Sequence, residues 1–101
     1  MVYLIIESWY PFGKTDEVRN KFFEVEKEYP EDPNLAKRLL IAFRAVKEGV
    51  NALSIYDVKD GKYKETLIRL AKSMRLFTEV EGYKYEMRSY ITLAEGLALT
   101  G

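Results

Sequence analysis

The chain has 101 residues, a length typical of one domain, and 48% of them are hydrophobic and 32% charged. Sixteen Lys and Arg balance sixteen Asp and Glu, so the basic excess typical of nucleic-acid-binding proteins is missing. Cysteine and histidine are both absent, which excludes disulfides, thiolate nucleophiles, Ser-His-Asp triads and the ordinary zinc and haem ligands. We therefore expect a single domain spanning residues 1–101, without metal, cofactor or nucleic-acid partner.

Two further features of the composition concern where the protein works. The apolar run Val2–Ile6 near the N-terminus is too short for a signal peptide or a membrane span. This predicts a cytoplasmic protein with no membrane partner. Glutamine is absent while Lys and Glu are abundant, a bias typical of proteins from thermophiles.

The first predicted element is a strand from Val2 to Trp9, rich in β-branched and aromatic residues and ended by Pro11. Alternation places Leu4 and Ile6 on one side. The other side holds Tyr3, Ile5, Glu7 and Trp9. Both sides are largely apolar, so we expect both faces of this strand to be covered.

A helix follows, with Thr15 or Asp16 as its N-cap and Pro30 after its last turn near Tyr29. Its apolar stripe comprises Val18, Phe22, Val25 and Tyr29. Glu24, Glu26 and Glu28 are expected to form a solvated outer face.

The stretch from Leu35 to Glu48 fits two structures, since Leu35, Leu39 and Val46 make a passable helical stripe. The continuous apolar run from Leu39 to Phe43 equally suits a buried strand. We favour a strand over about 39–46, joined through the turn at Gly49 to the next strand.

The second half of the chain is more regular. A strand is predicted over 50–58, then a helix from Tyr63 to about Glu81 with Gly82 as its C-cap. Alternation predicts a strand over 83–91, and Thr92 and Glu95 match the capping box of a short last helix.

The resulting order β-α-β-β-α-β is the ferredoxin-like plan, in which two helices cover one face of a four-stranded antiparallel sheet. The other face would expose Tyr3, Ile5 and Trp9, too much apolar surface to leave in water. A second copy of the chain is the simplest cover, so we expect a homodimer.

The plan, the length and the short tail after the last strand resemble the dimeric α+β barrel superfamily. The passages Asn51-Ala-Leu-Ser-Ile-Tyr-Asp-Val-Lys-Asp-Gly-Lys62 and Glu81-Gly-Tyr-Lys-Tyr-Glu86 are similar to small uncharacterised members of it. The resemblance implies two sheets packed face to face around a cavity. That superfamily includes monooxygenases, isomerases and haem enzymes, so the fold does not give the function.

The candidate ligand-facing residues are those expected on the enclosed sheet face, with Tyr56 or its neighbours included depending on register: Tyr3, Glu7, Trp9, Arg44, Tyr56, Glu86, Arg88 and Tyr90. Buried charges must be paired, so Glu7 with Arg88 or Arg44 would form structural ion pairs. Alternatively, these groups line a pocket for a small polar or aromatic ligand. Glu7 would act as a general base if its pKa were raised.

Three functions fit these observations. One is a dimeric binding protein with a small cavity and no chemistry. Another is a cofactor-independent isomerase or monooxygenase, which the missing histidine makes less favourable. The last is a protein-interaction module.

Overall fold

A computed structural model of the protein describes residues 1–100, and its elements follow the predicted order β-α-β-β-α-β with one further helix. The strands are β1 (Val2–Tyr10), β2 (Ala36–Val46), β3 (Gly49–Val58) and β4 (Lys84–Ile91). The helices are α1 (Thr15–Glu28), α2 (Tyr63–Phe77) and α3 (Leu93–Ala98). The strand favoured over a helix for residues 39–46 is confirmed as part of β2.

The four strands form one antiparallel sheet in the order β2-β3-β1-β4. This is the predicted ferredoxin-like fold, in which β1 and β3 are central and β2 and β4 are the edges. A β-bulge between Arg38 and Leu40 shifts the pairing of β2 with β3 by one residue.

The helices α1 and α2 cover one face of the sheet. Leu4 and Ile6 point into this side and are 0% and 3% exposed, as the alternation of β1 predicted. Ile6 packs in one cluster with Val25 of α1 and Phe77 of α2. The core therefore lies between the helices and this helix-covered face, and the opposite, helix-free face carries no helix-packed core.

Helix boundaries differ from the predictions at two places. A 3-10 turn over Phe12–Lys14 precedes α1, and Thr15 is helical, its hydroxyl donating to Phe12 O instead of capping the helix. Helix α2 ends at Phe77, where the hydroxyl of Thr78 donates to Arg75 O, so Gly82 is not its C-cap. Gly82 has φ +84 and lies in the turn before β4.

The short last helix is confirmed with its cap. Thr92 accepts from Glu95 N, and the Glu95 carboxylate accepts from Thr92 N, which completes the predicted capping box. Among the helices of residues 1–100, none is long and apolar enough to cross a lipid bilayer.

Candidate functional site

The helix-free face gathers most of the predicted ligand-facing residues. Register opposes Tyr3 to Tyr90, Glu7 to Glu86 and Trp9 to Lys84 across β1 and β4. Arg88 lies beside Ile5 on the same face, and Arg44 of β2 lies beside Asn51 of β3. The alternation read from the sequence thus predicted correctly that these residues share one side of the sheet.

Tyr56 is the exception. It pairs with Leu4 of β1 and Arg38 of β2, so it lies on the helix-covered face. Its neighbours Ile55 and Asp57 occupy the helix-free face instead, because successive side chains of a strand point to opposite sides. The register therefore excludes Tyr56 from the set of candidates and selects its neighbours, the alternative that the sequence left open.

A chain of hydrogen bonds crosses all four strands of the helix-free face. Arg44 Nε donates to Asn51 Oδ1 at 2.8 Å, and Asn51 Nδ2 donates to Glu7 Oε2 at 3.2 Å and to the Ser8 carbonyl at 3.0 Å. Arg88 donates from Nη1 to Glu7 Oε1 at 2.9 Å and also contacts the carboxylate of Glu86. Asn51 is the one member that the sequence did not single out.

The charged side chains in this chain of hydrogen bonds balance, with two carboxylates and two guanidinium groups. Hydrogen bonds from Arg88 and then from Asn51 lower the pKa of Glu7 below its ordinary value, so Glu7 is a carboxylate at neutral pH. Proton abstraction by a general base would call for a raised pKa, which Glu7 does not have. Arg88 forms ion pairs with Glu7 and Glu86, as in the first of the two predicted alternatives, whereas Arg44 is linked to Glu7 only through Asn51.

One hydrogen-bond donor among these side chains has no acceptor within residues 1–100. Arg88 Nε is buried and makes no hydrogen bond within residues 1–100. Leaving a buried donor without an acceptor costs free energy.

Apolar side chains flank the polar chain on the same face. Ile5, Leu53 and Ile55 are partly buried, while Leu40 and Tyr90 are 44% and 49% exposed. An apolar surface this broad, with a polar strip across it, resembles an interface more than a solvated sheet face.

The second feature is a cavity of about 460 Å³ on the helix-covered side. Its floor is the middle of the sheet, where register places three small residues next to one another: Ser8, Ala52 and Ser54. Elsewhere on this face larger residues such as Leu4 and Val58 fill the space under the helices. The small side chains are thus the local cause of the empty volume.

The walls of the cavity are mainly apolar and aromatic. Phe22 and Val25 of α1, Met74 and Phe77 of α2, and Ile41 and Phe43 of β2 line it. Phe43 is 62% exposed, so the β2 edge leaves this side of the cavity accessible.

A polar group lies at one end of the cavity, around the phenol of Tyr56. Burial raises the pKa of Tyr56, and the neighbouring Arg38 guanidinium opposes the rise. Arg38 Nη1 donates to Glu26 Oε1 at 2.7 Å. Glu26, expected on a solvated face, is therefore part of this wall, because β2 brings Arg38 next to the last turns of α1.

The sequence did carry a signal for the cavity. Ser8, Ala52 and Ser54 occupy helix-facing positions of two central strands, where a filled core would have large apolar residues. Acidic side chains within residues 1–100 do not gather in groups of three or more that could hold a metal ion.

The comparisons with known proteins found structures with the same fold and no relative by sequence. No family model and no curated protein matches the chain. Among solved structures, a Deinococcus radiodurans protein named as a presumed antibiotic biosynthesis monooxygenase superposes with a TM-score of 0.59 at 10% identity, over 91% of this chain and 92% of its own. The de novo designed protein Foldit4 superposes with a TM-score of 0.58 at 13% identity, over 90% of this chain and 96% of its own.

These likenesses define the class of the protein. The chain has the ferredoxin-like α+β fold that the sequence pattern predicted. A natural and a designed protein share this fold with it, so the activity must be sought in the site and not in the fold.

Proposed function

We propose that the protein is a homodimer that binds an apolar small molecule in the cavity between the helices and the sheet of each subunit. The supporting observation is the cavity itself. Its volume of about 460 Å³ falls within the range of ligand pockets, whereas protein interiors normally pack without large voids. A 101-residue domain that leaves such a volume empty is suited to an occupant.

The chemistry of the walls favours a largely apolar ligand without net charge. Aromatic and aliphatic side chains surround most of the volume. Three arginines line its rim: Arg38 is paired with Glu26, Arg19 lies 3.6 Å from Asp16, and Arg69 donates to the Pro30 carbonyl. The hydroxyls of Ser54 and Tyr56 remain to orient one polar group of the ligand.

The test uses a neutral fluorescent probe, N-phenyl-1-naphthylamine, and a variant that fills the cavity floor. Ala52→Leu places a larger side chain between Ser8 and Phe43, and should weaken probe binding about tenfold. Ala45→Leu is the matched control, since Ala45 of β2 lies on the same face of the sheet as Ala52 of β3, is exposed and does not line the cavity. We expect one probe per chain for the wild type and the control. Equal binding by Ala52→Leu would show that the probe is elsewhere.

The homodimer part of the proposal is supported by the shape of the single chain. Its accessible surface is 6815 Å², against about 5900 Å² for a compact monomer of this mass. Its radius of gyration is 14.8 Å, against about 13 Å for a 100-residue domain. Both excesses fit a subunit whose apolar helix-free face is covered by a second copy. Light scattering should give twice the chain mass of 11.8 kDa, and a monomer at micromolar concentration would contradict the dimer.

A ligand on the helix-free face is the second candidate, favoured by the unpartnered Arg88 Nε. In a dimer this face would be enclosed, and Glu7, Trp9, Arg88 and Tyr90 could surround a small planar anion. A panel of small carboxylates screened by thermal shift tests it. A stabilising anion should lose affinity in Arg88→Ala and change affinity in Glu7→Gln, with both variants still dimeric. If both variants bind the anion normally, the site is not there.

A further inference from the structure

The two edges of the sheet differ in how they are protected against pairing with another strand. On β4 every second residue over 84–88 is charged, and charged side chains are a common protection of an exposed edge. On β2 the five residues 39–43 carry no charge. The bulge of β2 lies near its start, between Arg38 and Leu40, so residues 40–46 pair regularly with β3. The outer side of this stretch is therefore a regular, apolar edge to which another strand can be added.

Apolar side chains are exposed on both faces of this edge. Leu40 and Ala42 lie on the helix-free face, whereas Ile41 and Phe43 lie on the helix-covered face and line the cavity. Leu40 is 44% and Phe43 62% exposed. A partner stacked on the helix-free face would cover Leu40 and leave Phe43 in water. A strand added in the plane of the sheet would cover both, because its side chains alternate between the two faces.

The edge of β2 is complementary to a second copy of itself. An antiparallel pair with its two-fold axis at Ala42 places Ile41 of each copy opposite the partner's Phe43, which gives two pairs of a β-branched and an aromatic side chain. The same axis places the small Ala42 opposite its own copy, and Leu40 opposite the aliphatic stem of the partner's Arg44. Each of these pairs joins residues on the same face of the sheet, as antiparallel strands require.

We propose that β2 pairs with β2 of a second copy about this axis, here called the edge pair, and that the partner's Phe43 covers the open side of the cavity. The edge pair is a different contact from the proposed dimer, which uses the helix-free face of the sheet. The role of Phe43 rests on the proposed ligand binding in the cavity, whereas the pairing itself does not. Two strands this short bury less than the roughly 1,600 Å² of a standard interface, so the edge pair forms at higher concentration than the dimer.

The absence of cysteine from the chain allows the edge pair to be tested by single disulfides. In Ala42→Cys the two thiols face each other across the axis, where opposite Cα atoms are about 4.5–5.5 Å apart, within the range of disulfides. Ala45→Cys is the matched control, because Ala45 is exposed on the same strand but would lie about 20 Å from its own copy in the edge pair. In a glutathione buffer at submillimolar protein concentration, we expect at least about tenfold more disulfide-linked chain for Ala42→Cys than for Ala45→Cys. Equal linkage of the two variants would contradict the edge pair.

A second set of variants distinguishes the edge pair from a contact between helix-free faces. Ile41 and Phe43 lie on the helix-covered side, so two copies stacked through their helix-free faces cannot join them. A mixture of Ile41→Cys and Phe43→Cys should form the mixed disulfide in at least about fivefold excess over either homodisulfide, because only the mixed residues are directly opposite in the edge pair. If Ala42→Cys is linked and the mixture shows no such excess, the copies meet through their helix-free faces and the edge pair is wrong.

The covering of the cavity is tested with the probe N-phenyl-1-naphthylamine on Ala42→Cys, since Ala42 does not line the cavity. The probe should leave the disulfide-linked pair about fivefold more slowly than the reduced chain at micromolar concentration, because the partner's Phe43 covers its exit. Equal dissociation rates would show that Phe43 of the partner does not cover the cavity. A probe that binds neither form, with the disulfides formed as expected, would contradict the proposed ligand binding and with it the role of Phe43, while leaving the edge pair established.

Discussion

Glu7 is a carboxylate on a strand whose neighbours on the same face are Ile5 and Trp9, and the structure shows what keeps it charged there. Arg88 and Asn51 donate to its two oxygens, and Asn51 links it to Arg44. A partly buried charge is tolerated only when hydrogen bonds replace its lost hydration. Removing Arg88 or Asn51 therefore leaves the Glu7 carboxylate without one of its hydrogen bonds. The hydrogen-bond chain across the four strands is thus sensitive to single substitutions.

The lowered pKa of Glu7 predicts a dependence of stability on pH. A carboxylate whose pKa is depressed in the folded state stabilises the protein above its unfolded pKa, and this contribution is lost as the pH falls through the folded value. Wild type should therefore melt at a higher temperature than Glu7→Gln at pH 5–7, and the difference should shrink towards pH 3. Thermal unfolding followed by circular dichroism at several pH values measures it.

Glu17→Gln is the control for this titration, because Glu17 is 57% exposed and its pair with Lys14 is a surface ion pair of little effect. It should melt close to wild type throughout. A constant difference between Glu7→Gln and wild type from pH 7 to pH 3 would mean that the ionisation of Glu7 does not contribute to stability.

The residues of the helix-free face could largely be predicted from sequence, and the exceptions have a physical reason. In β1 the two faces differ, so period-2 alternation separates Leu4 from Glu7. In β3 both alternating sets contain apolar residues, so its own pattern does not state which side Tyr56 faces. Asn51 was missed because an asparagine beside a turn is ordinarily part of the turn and not of a buried hydrogen-bond chain.

At the scale of elements, the hairpin of β2 and β3 has a turn that requires a glycine. Its turn brings Gly49 against the start of the connection after β1. A Cβ at Gly49 would overlap the carbonyl oxygen of Tyr10 and lie 3.0 Å from Pro11 Cα, and Gly49 has φ +155. The sequence predicted a turn here, but only the structure shows that the glycine is required by this close approach.

Gly49→Ala should therefore destabilise the protein strongly, by about 2–4 kcal/mol, because backbone must move to remove the overlap. Urea unfolding of the variant measures the change in the free energy of unfolding. Gly13→Ala is the control, since a Cβ there meets nothing within 4 Å, and it should change stability by less than about 0.5 kcal/mol. Equal stability of the two variants would show that the Tyr10 contact is relieved at no cost.

Strands and helices differed in how well the sequence located them. The apolar run Leu39–Phe43 predicted β2 correctly as a strand, although β2 is an edge strand on which Leu40 and Phe43 are exposed, and not the buried strand that the run suggested. The end of α2 was misplaced by four residues because Val80 continues the apolar pattern after the helix has stopped. Val80 N donates to Phe77 O in a turn that still buries the side chain, so burial continued where the helix did not.

At the scale of the whole molecule, both faces of the sheet carry apolar side chains, for two different reasons. The helix-covered side is apolar because it is the core, and the cavity is a gap within it. The helix-free side is apolar although α1 and α2 both pack on the opposite face. No pattern within one chain states what covers a face, and this limited the sequence to the expectation of a second copy.

The last prediction concerns that second copy. Trp9→Lys places an ammonium on the helix-free face beside Lys84 and close to Arg44, where two cations already lie. Burying an unpaired cation in an interface is costly, and repulsion from its neighbours adds to the cost, so the variant should be a folded monomer. Sedimentation or light scattering at micromolar concentration measures the mass, and circular dichroism verifies the fold.

Phe23→Lys is the control, because Phe23 is 62% exposed on α1, away from the sheet, and the proposed dimer should tolerate it. If Phe23→Lys dissociates and Trp9→Lys does not, the subunits meet through their helices, and the helix-free face must be covered by something other than its own copy.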